Sequence, residues 1–235
     1  QNSGPQVLLP RNGSSFDANL VLEYIPDNSG KWIEEESIVD LKQLNFDNDT
    51  SDEIIVLSAS KDLGSGIFKP AIGWINNNSN NDGFTEISWE LTCDNVQNIE
   101  IGDFNGDGHD DVLVWTKLVG RFCYHLWDPL QNIFSPYLEL NGGSPDYDIF
   151  VAVGDMNIDG YSDIVYADSS GTYGYYEWRA SNNQFGLTLE STYETSIGGV
   201  NQLAGISQFQ VGNILDAEEH SLVIVSDIGT LDVFI

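Results

Sequence analysis

An all-β fold built of repeated four-stranded units is what this chain of 235 residues predicts, and three observations predict it. An acidic loop of fixed pattern recurs between two strand-like apolar runs. An aromatic residue recurs at a fixed place after each loop: Tyr24, Trp74, Trp127 and Trp178 stand 50, 53 and 51 residues apart. Helical periodicity is missing, since no segment of 12 or more residues sustains an apolar stripe at i, i+3, i+4. Four strands every fifty-odd residues is the spacing of a β-propeller blade. The expected unit has an inner strand entering the acidic loop, one leaving it, one ending at the aromatic, and an outer one.

In chain order, "QVLLPRNGSSFDANLVLEY" has the layout of a second and third strand, ends at Tyr24 and is followed by the outer run "KWIEEES". The first full unit carries "LNFDNDTSDEIIVLS" at 44–58, then "PAIGWINN" with Trp74 and the outer run "FTEISWEL". The second carries "IGDFNGDGHDDVLVW" at 101–115, then "CYHLWDPL" with Trp127 and "FSPYLEL". The third carries "VGDMNIDGYSDIVYA" at 153–167, then "YYEWRASN" with Trp178 and "FGLTLES". A fourth, "VGNILDAEEHSLVIVS" at 211–226, keeps the frame and little else. The recurring aromatics are expected to pack between units, because one such residue per blade is an ordinary cue of the architecture.

The loops ask why a chain of formal charge −29 crowds carboxylates together. Counted from Asp103 and from Asp155, both strong loops read D-x-N-x-D-G-x-x-D. Oxygen side chains then stand at positions one, three, five and nine, with glycine at six. A hard cation such as Ca²⁺ takes six to eight oxygen ligands, and a tight glycine-bearing turn lets alternate side chains converge on it. The helix–loop–helix calcium hand needs a glutamate at position twelve, where this chain has Val114. The loops therefore join strands. The competing reading is a solvated β-turn, which asparagine, aspartate and glycine favour for backbone reasons alone. Recurrence of the full pattern argues for the cation. The first loop has Asn45, Asp47, Asp49 and Glu53 at the four positions, with Thr50 in place of glycine. In the fourth, Asn213 stands at position one, but Leu215 and Ala217 occupy ligand places, and no ion is expected there.

The "GDFNGDGHDD" and "GDMNIDGYSD" loops, each between an apolar inner strand and a following strand, resemble FG-GAP/VCBS repeats, the blades of integrin α-subunit-like propellers. The resemblance spans most of the chain as four loop-bearing units, around 45–53, 103–111, 155–163 and 213–221, in a single propeller region of 1–235. It implies bound calcium, with a backbone carbonyl added at position seven. The implied ligands are Asp103, Asn105, Asp107 and Asp111 with the His109 carbonyl, and Asp155, Asn157, Asp159 and Asp163 with the Tyr161 carbonyl. That makes two calcium ions, and a third if the first loop is filled despite Thr50 and Glu53. The match is to the loop type, since the "FG" and "GAP" segments are not clearly present.

Both ends of the chain supply the layout of a second and third strand. Aligning "GTLDVFI" with "GTYGYYEW" puts the expected aromatic just after Ile235. The expectation is a part of a longer propeller, or one chain of several that complete it. A start at Gln1 without methionine points to a mature or excised product.

A pI near 4.1 with no basic cluster argues against nucleic acid, whose phosphates are bound by lysine and arginine. Anionic membrane surfaces are disfavoured for the same reason, and no apolar run reaches the ~18 residues of a membrane helix. Cys93 and Cys123 are the two cysteines; an external location allows a bond between them, and two separate buried thiols are an equal alternative. Sequons at Asn12, Asn48 and Asn77 permit glycosylation in a eukaryotic source. His109, His125 and His220 sit in no known catalytic motif, and the carboxylates of recognisable spacing are taken by the cation loops. The expected function is thus non-enzymatic: a secreted or cell-surface, calcium-binding propeller that interacts with another polypeptide in adhesion or assembly. The alternatives are a glycan-binding, lectin-like propeller and a non-catalytic domain of a larger secreted enzyme or toxin.

Overall fold

The computed structural model describes residues 10–11, 15–16, 38–47, 52–75, 88–116, 121–141, 149–168, 172–192, 196–197, 200–201, 206–212, 221–226 and 231–234. The chain divides into two units, Gln1–Glu36 and Ser37–Ile235. In the first, β1 (Pro10–Arg11) pairs antiparallel with β2 (Ser15–Phe16). Tyr24, Val7–Leu9, Asn12, Asn77, His220 and Ile235 lie outside the described residues, as do the expectations that rest on them.

The second unit is a series of antiparallel sheets, with no helix among the described residues. The first sheet runs β3 (Ile38–Leu44), β4 (Glu53–Asp62), β5 (Phe68–Ile75) and β6 (Ser88–Leu91) in simple up-and-down order. The second has β7 (Asn98–Gly102), β8 (Asp111–Trp115) and β9 (Arg121–His125). Next come a short hairpin of β10 (Trp127–Asp128) and β11 (Ile133–Phe134) and then the outer strand β12 (Leu138–Asn141), which pairs with β9. The third is β13 (Ile149–Gly154), β14 (Asp163–Asp168), β15 (Thr172–Arg179) and β16 (Gln184–Thr192). After a two-residue pair, β17 (Ser196–Ile197) with β18 (Val200–Asn201), the last sheet has three described strands: β19 (Ile206–Gly212), β20 (Ser221–Ser226) and β21 (Leu231–Phe234). First strands lie side by side in sequence order, β3 by β7, β7 by β13 and β13 by β19. The second strand of each of the first three sheets is its most buried, with all five residues of β8 and all six of β14 inaccessible. That is why "DVLVW" and "DIVYAD" read as near-continuous apolar runs instead of alternating ones.

Two aromatic clusters hold successive sheets together, and they are built to one plan. Trp127 pairs across the strands with Phe134, and Trp178 with Phe185. Into each pair plugs the phenylalanine at position two of the acidic loop belonging to the previous unit. Phe46 lies 4.2 Å from Trp127 and 5.9 Å from Phe134, ring centre to ring centre. Phe104 lies 5.2 Å from Phe185. Trp74, Trp127 and Trp178 are all buried, the core role expected of them. Offset and edge-on ring pairs of this kind add about 0.5–1.5 kcal/mol each beyond the area they bury.

Cys93 and Cys123 are bonded, with Cα atoms 6.2 Å apart, which decides between the two readings left open by the sequence. The bond joins the turn before β7 to β9 and spans 30 residues. Closing a loop of that size restricts the unfolded chain by about 3–4 kcal/mol in the chain-entropy model. Reduction, or the paired change Cys93→Ser with Cys123→Ser, is therefore expected to lower the free energy of unfolding by that order. Urea unfolding with and without reductant measures it.

Beside the disulfide, His125 is fully buried on β9. Its Nδ1 lies 2.8 Å from the carbonyl of Ser135 and its Nε2 3.0 Å from the hydroxyl of Thr92. The ring is thus neutral, with Nδ1–H donating and Nε2 accepting. Burial pushes its pKa down to about 4, against the carbonyl contact, which raises it. The unfolded chain takes up a proton near 6.5 that the folded chain refuses until about 4. The stability tied to neutral His125 is present above 6.5 and lost as pH falls through that window, by about 3 kcal/mol at most. We expect the stability gap between the parent and His125→Gln to narrow as pH drops from 7 to 4. Equal gaps at both pH values would mean that His125 titrates normally.

Candidate metal centres

The loops at 103–111 and 155–163 each bridge a first strand to a second strand. Residue two is fully buried in the first of them, as Phe104, and half-buried in the other, as Met156, whereas position five, Asp107 and Asp159, is exposed in both. Asp103 Oδ1 accepts from the N–H groups of Gly106 and Asp107 at 2.8 and 3.1 Å, and its Oδ2 from that of Gly108 at 2.9 Å. The Asp107 N–H is shared with Asn105 Oδ1 at 3.0 Å, so the oxygens of positions one and three meet at a single donor. Position five closes the turn: Asp107 Oδ1 accepts from the His109 N–H at 3.0 Å, and its Oδ2 takes the Asn105 amide at 2.9 Å. The third loop repeats this. The Asp159 N–H reaches Asp155 Oδ1 and Asn157 Oδ1 at 3.1 Å each, Gly160 N–H reaches Asp155 Oδ2 at 2.9 Å, and Tyr161 N–H reaches Asp159 Oδ1 at 3.0 Å.

Backbone conformation explains the glycines. Position six is left-handed in both loops, with φ of +86° at Gly108 and +89° at Gly160, a region glycine enters without steric cost. Position four is left-handed too, but the third loop puts Ile158 there at +58°, so its local strain is greater. Gly106 answers a second demand, since a Cβ there would come within 2.6 Å of the Tyr161 ring.

Position nine does something else. Asp111 is fully buried, and its two oxygens accept from the N–H groups of Phe104 at 3.0 Å and of Trp127 at 2.8 Å. Asp163 likewise takes the N–H groups of Met156 at 2.9 Å and of Trp178 at 3.4 Å, and adds the Tyr175 hydroxyl at 3.0 Å. Each position-nine carboxylate thus ties the loop to the unit's recurrent tryptophan, while lone pairs remain on its oxygens. Burial pushes the Asp111 carboxyl up to about 8, against the pull of those two N–H groups and with some help from the Asp107 and Asp103 charges. Asp163 is pushed to about 6 by burial, its three donors holding it lower.

Neighbouring loops are also bound to each other. The N–H at position eight donates to the carbonyl at position one of the preceding loop: Asp110 to Asn45 at 3.2 Å, Ser162 to Asp103 at 2.7 Å. Asp110 Oδ2 accepts the Asn45 N–H at 2.6 Å, and His109 Nδ1 lies 2.7 Å from the Phe46 carbonyl. In the third loop Glu177 joins in, taking the amide of Asn157 at 2.8 Å and the hydroxyl of Thr188 at 3.0 Å. Sequence reasoning missed these ties, because each backbone partner lies some 59 or 65 residues back in the chain.

In the first loop, Asn45, Asp47 and Glu53 are described and Glu53 is buried, whereas Asn48, Asp49 and Thr50 lie outside the described residues. Asn213, Leu215 and Ala217 of the fourth loop do as well. His125 with Thr92 has the spacing of a base with a nucleophile, but both side chains are sealed from solvent, and the pair packs the core.

Among the described residues, no three His, Cys, Asp or Glu side chains lie close enough to hold a metal between them. Each strong loop offers an asparagine oxygen as well as carboxylates. The donor set is all oxygen, and among the described residues no lysine or arginine pairs with Asp103, Asp107 or Asp111. Such a set fits a hard, oxygen-seeking cation in its chemistry.

Fold and loops together define an all-β protein of repeated four-stranded sheets with acidic inter-strand loops. No family model matches the chain, and no curated protein matches it. Among solved structures it is similar to the "Putative phosphatase" of Bacteroides thetaiotaomicron VPI-5482, at 13% identity and a TM-score of 0.45. The likeness covers 82% of this chain and 48% of that one, so the chain spans about half the length of that protein.

Proposed function

We propose that this chain is a calcium-stabilised segment of an FG-GAP/VCBS-type β-propeller that acts outside the cell by binding other polypeptides, in adhesion or assembly. The observation that carries the reading is the duplicated loop. Two stretches 52 residues apart make the same hydrogen bonds from the same positions, which a solvated turn has no reason to repeat. Calcium would be held by Asp103, Asn105, Asp107 and Asp111 with the His109 carbonyl, and by Asp155, Asn157, Asp159 and Asp163 with the Tyr161 carbonyl. It would supply the positive charge these carboxylates lack. Because position eight of each loop binds position one of the one before, an ion that stiffens one loop also steadies its neighbour.

The role is structural support for an interaction surface, and the activity is not catalytic. The chain's own charge bears on its partners: formal −29, reduced to −25 by two divalent ions, it disfavours nucleic acid and anionic membranes alike. Sedimentation of the purified chain, with and without Ca²⁺, tests the assembly role. Self-association or a co-purifying chain is expected, and a monomer in both conditions with no partner would remove it. A glycan-binding reading is favoured by a different feature, the cleft at the other end of the first two sheets.

A further inference from the structure

A cleft of about 700 Å³ opens between the first and second sheets, at the strand ends remote from the acidic loops. Its polar lining is Asp94, Asn95 and Gln97 from the turn before β7, and Thr116 at the end of β8. Pro70 and Val39 contribute apolar wall. By its volume it lies within the range of small-molecule sites.

The turn that carries three of the polar groups is held on every side. The Cys93–Cys123 bond anchors its start. The N–H of Thr92 donates to the Pro70 carbonyl at 3.0 Å, and that of Gln97 to the Trp115 carbonyl at 2.9 Å. Val96 is buried between them, and the N–H of Ile99 is fixed 2.8 Å from Asp40 Oδ2. Within this frame Asn95 is held at φ +65°, a left-handed conformation that costs free energy in a non-glycine residue. The clamped turn fixes the backbone from which Asp94, Asn95 and Gln97 project, and a fixed backbone lowers the ordering cost of binding.

We infer that this cleft binds a neutral saccharide. Its lining has no lysine or arginine, so a phosphate or carboxylate ligand would find no counter-charge. With one carboxylate it is too poor in charge for a metal. Two carboxamides and a carboxylate, all on exposed side chains, offer donors and acceptors side by side, and the vicinal hydroxyls of a sugar both donate and accept. Pro70 and the exposed Val39 would meet the C–H face of a pyranose ring. The site stands apart from the acidic loops, so it does not depend on the calcium reading.

The test is isothermal titration of the intact chain with glucose, galactose, mannose, N-acetylglucosamine and fucose, with N-acetylneuraminic acid as the anionic comparison. At least one neutral sugar is expected to bind. Asn95→Gly, which tolerates the positive φ, and Gln97→Ala are each expected to weaken it tenfold or more without altering the melting temperature. Asp94→Asn, at an exposed side chain, provides a third variant should either of those unfold. Absence of binding by any neutral sugar, preference for the anionic one, or binding untouched by all three variants would overturn the assignment.

Discussion

Calcium raises the melting temperature of the purified chain, and EGTA lowers it again: this is the expected result with the largest effect. An ion that binds the folded loops and ignores the unfolded chain stabilises by about 2.7 kcal/mol per site at a hundredfold excess over its dissociation constant. For a domain of this size that is roughly 5–10 °C per site. Asp107→Ala and Asp159→Ala are each expected to remove one ion in metal counting. Each deletes the residue that both closes its turn and supplies the position-five oxygen. Asn213→Ala is expected to leave the count unchanged. A melting temperature indifferent to thorough chelation would end the metal reading, and a count that falls with Asn213→Ala would mean that the fourth loop has been misjudged.

Asp111→Ala is expected to destabilise the chain even in EGTA, where Asp107→Ala does little. The two residues belong to one motif, yet they face different surroundings. Asp107 is exposed, and losing it relieves repulsion from its neighbours. Asp111 is buried, and its loss strands the N–H groups of Phe104 and Trp127, each of which costs about 1–3 kcal/mol unsatisfied. Roughly 3–5 kcal/mol in total follows, within the range of a broken buried network. Asp163→Ala is expected to behave alike. Urea unfolding in chelator separates the two classes, and equal losses for Asp107→Ala and Asp111→Ala would refute the division. The pH must be held constant in this comparison. A carboxyl raised to about 8 or about 6 contributes stability that is full below its unfolded value and lost as pH rises through the folded one, opposite in sense to His125.

Much of the architecture could be read in the sequence because its causes are local. A strand buried on both faces is apolar along most of its length, so the runs after Asp111 and Asp163 in "DVLVW" and "DIVYAD" declare themselves. A left-handed backbone at position six calls for glycine, so Gly108 and Gly160 mark the turns. The fifty-residue return of the tryptophans located the third strands at Trp74 and Trp178, whereas Trp127 falls just past β9 in the short β10–β11 hairpin; the four-strand count held for the first three full units. At positions one and three of both loops the side-chain oxygens meet at one donor, the Asp107 or the Asp159 N–H.

What tertiary structure decided is whatever joins residues distant in the chain. Asp107 and Asp111 are the same letter in one motif, and nothing local says that one faces solvent while the other caps a tryptophan sixteen residues on. Whether Cys93 meets Cys123 depends on where two strands bring their Cα atoms. The link from Asp110 to Asn45, the seating of Phe46 against Trp127, and the cleft between Pro70 and Asn95 arise only when one sheet is set beside the next. Sequence prescribes the backbone preference and burial pattern of each strand and turn, whereas hydrogen bonds and ring contacts between sheets depend on a packing distance that no single segment encodes.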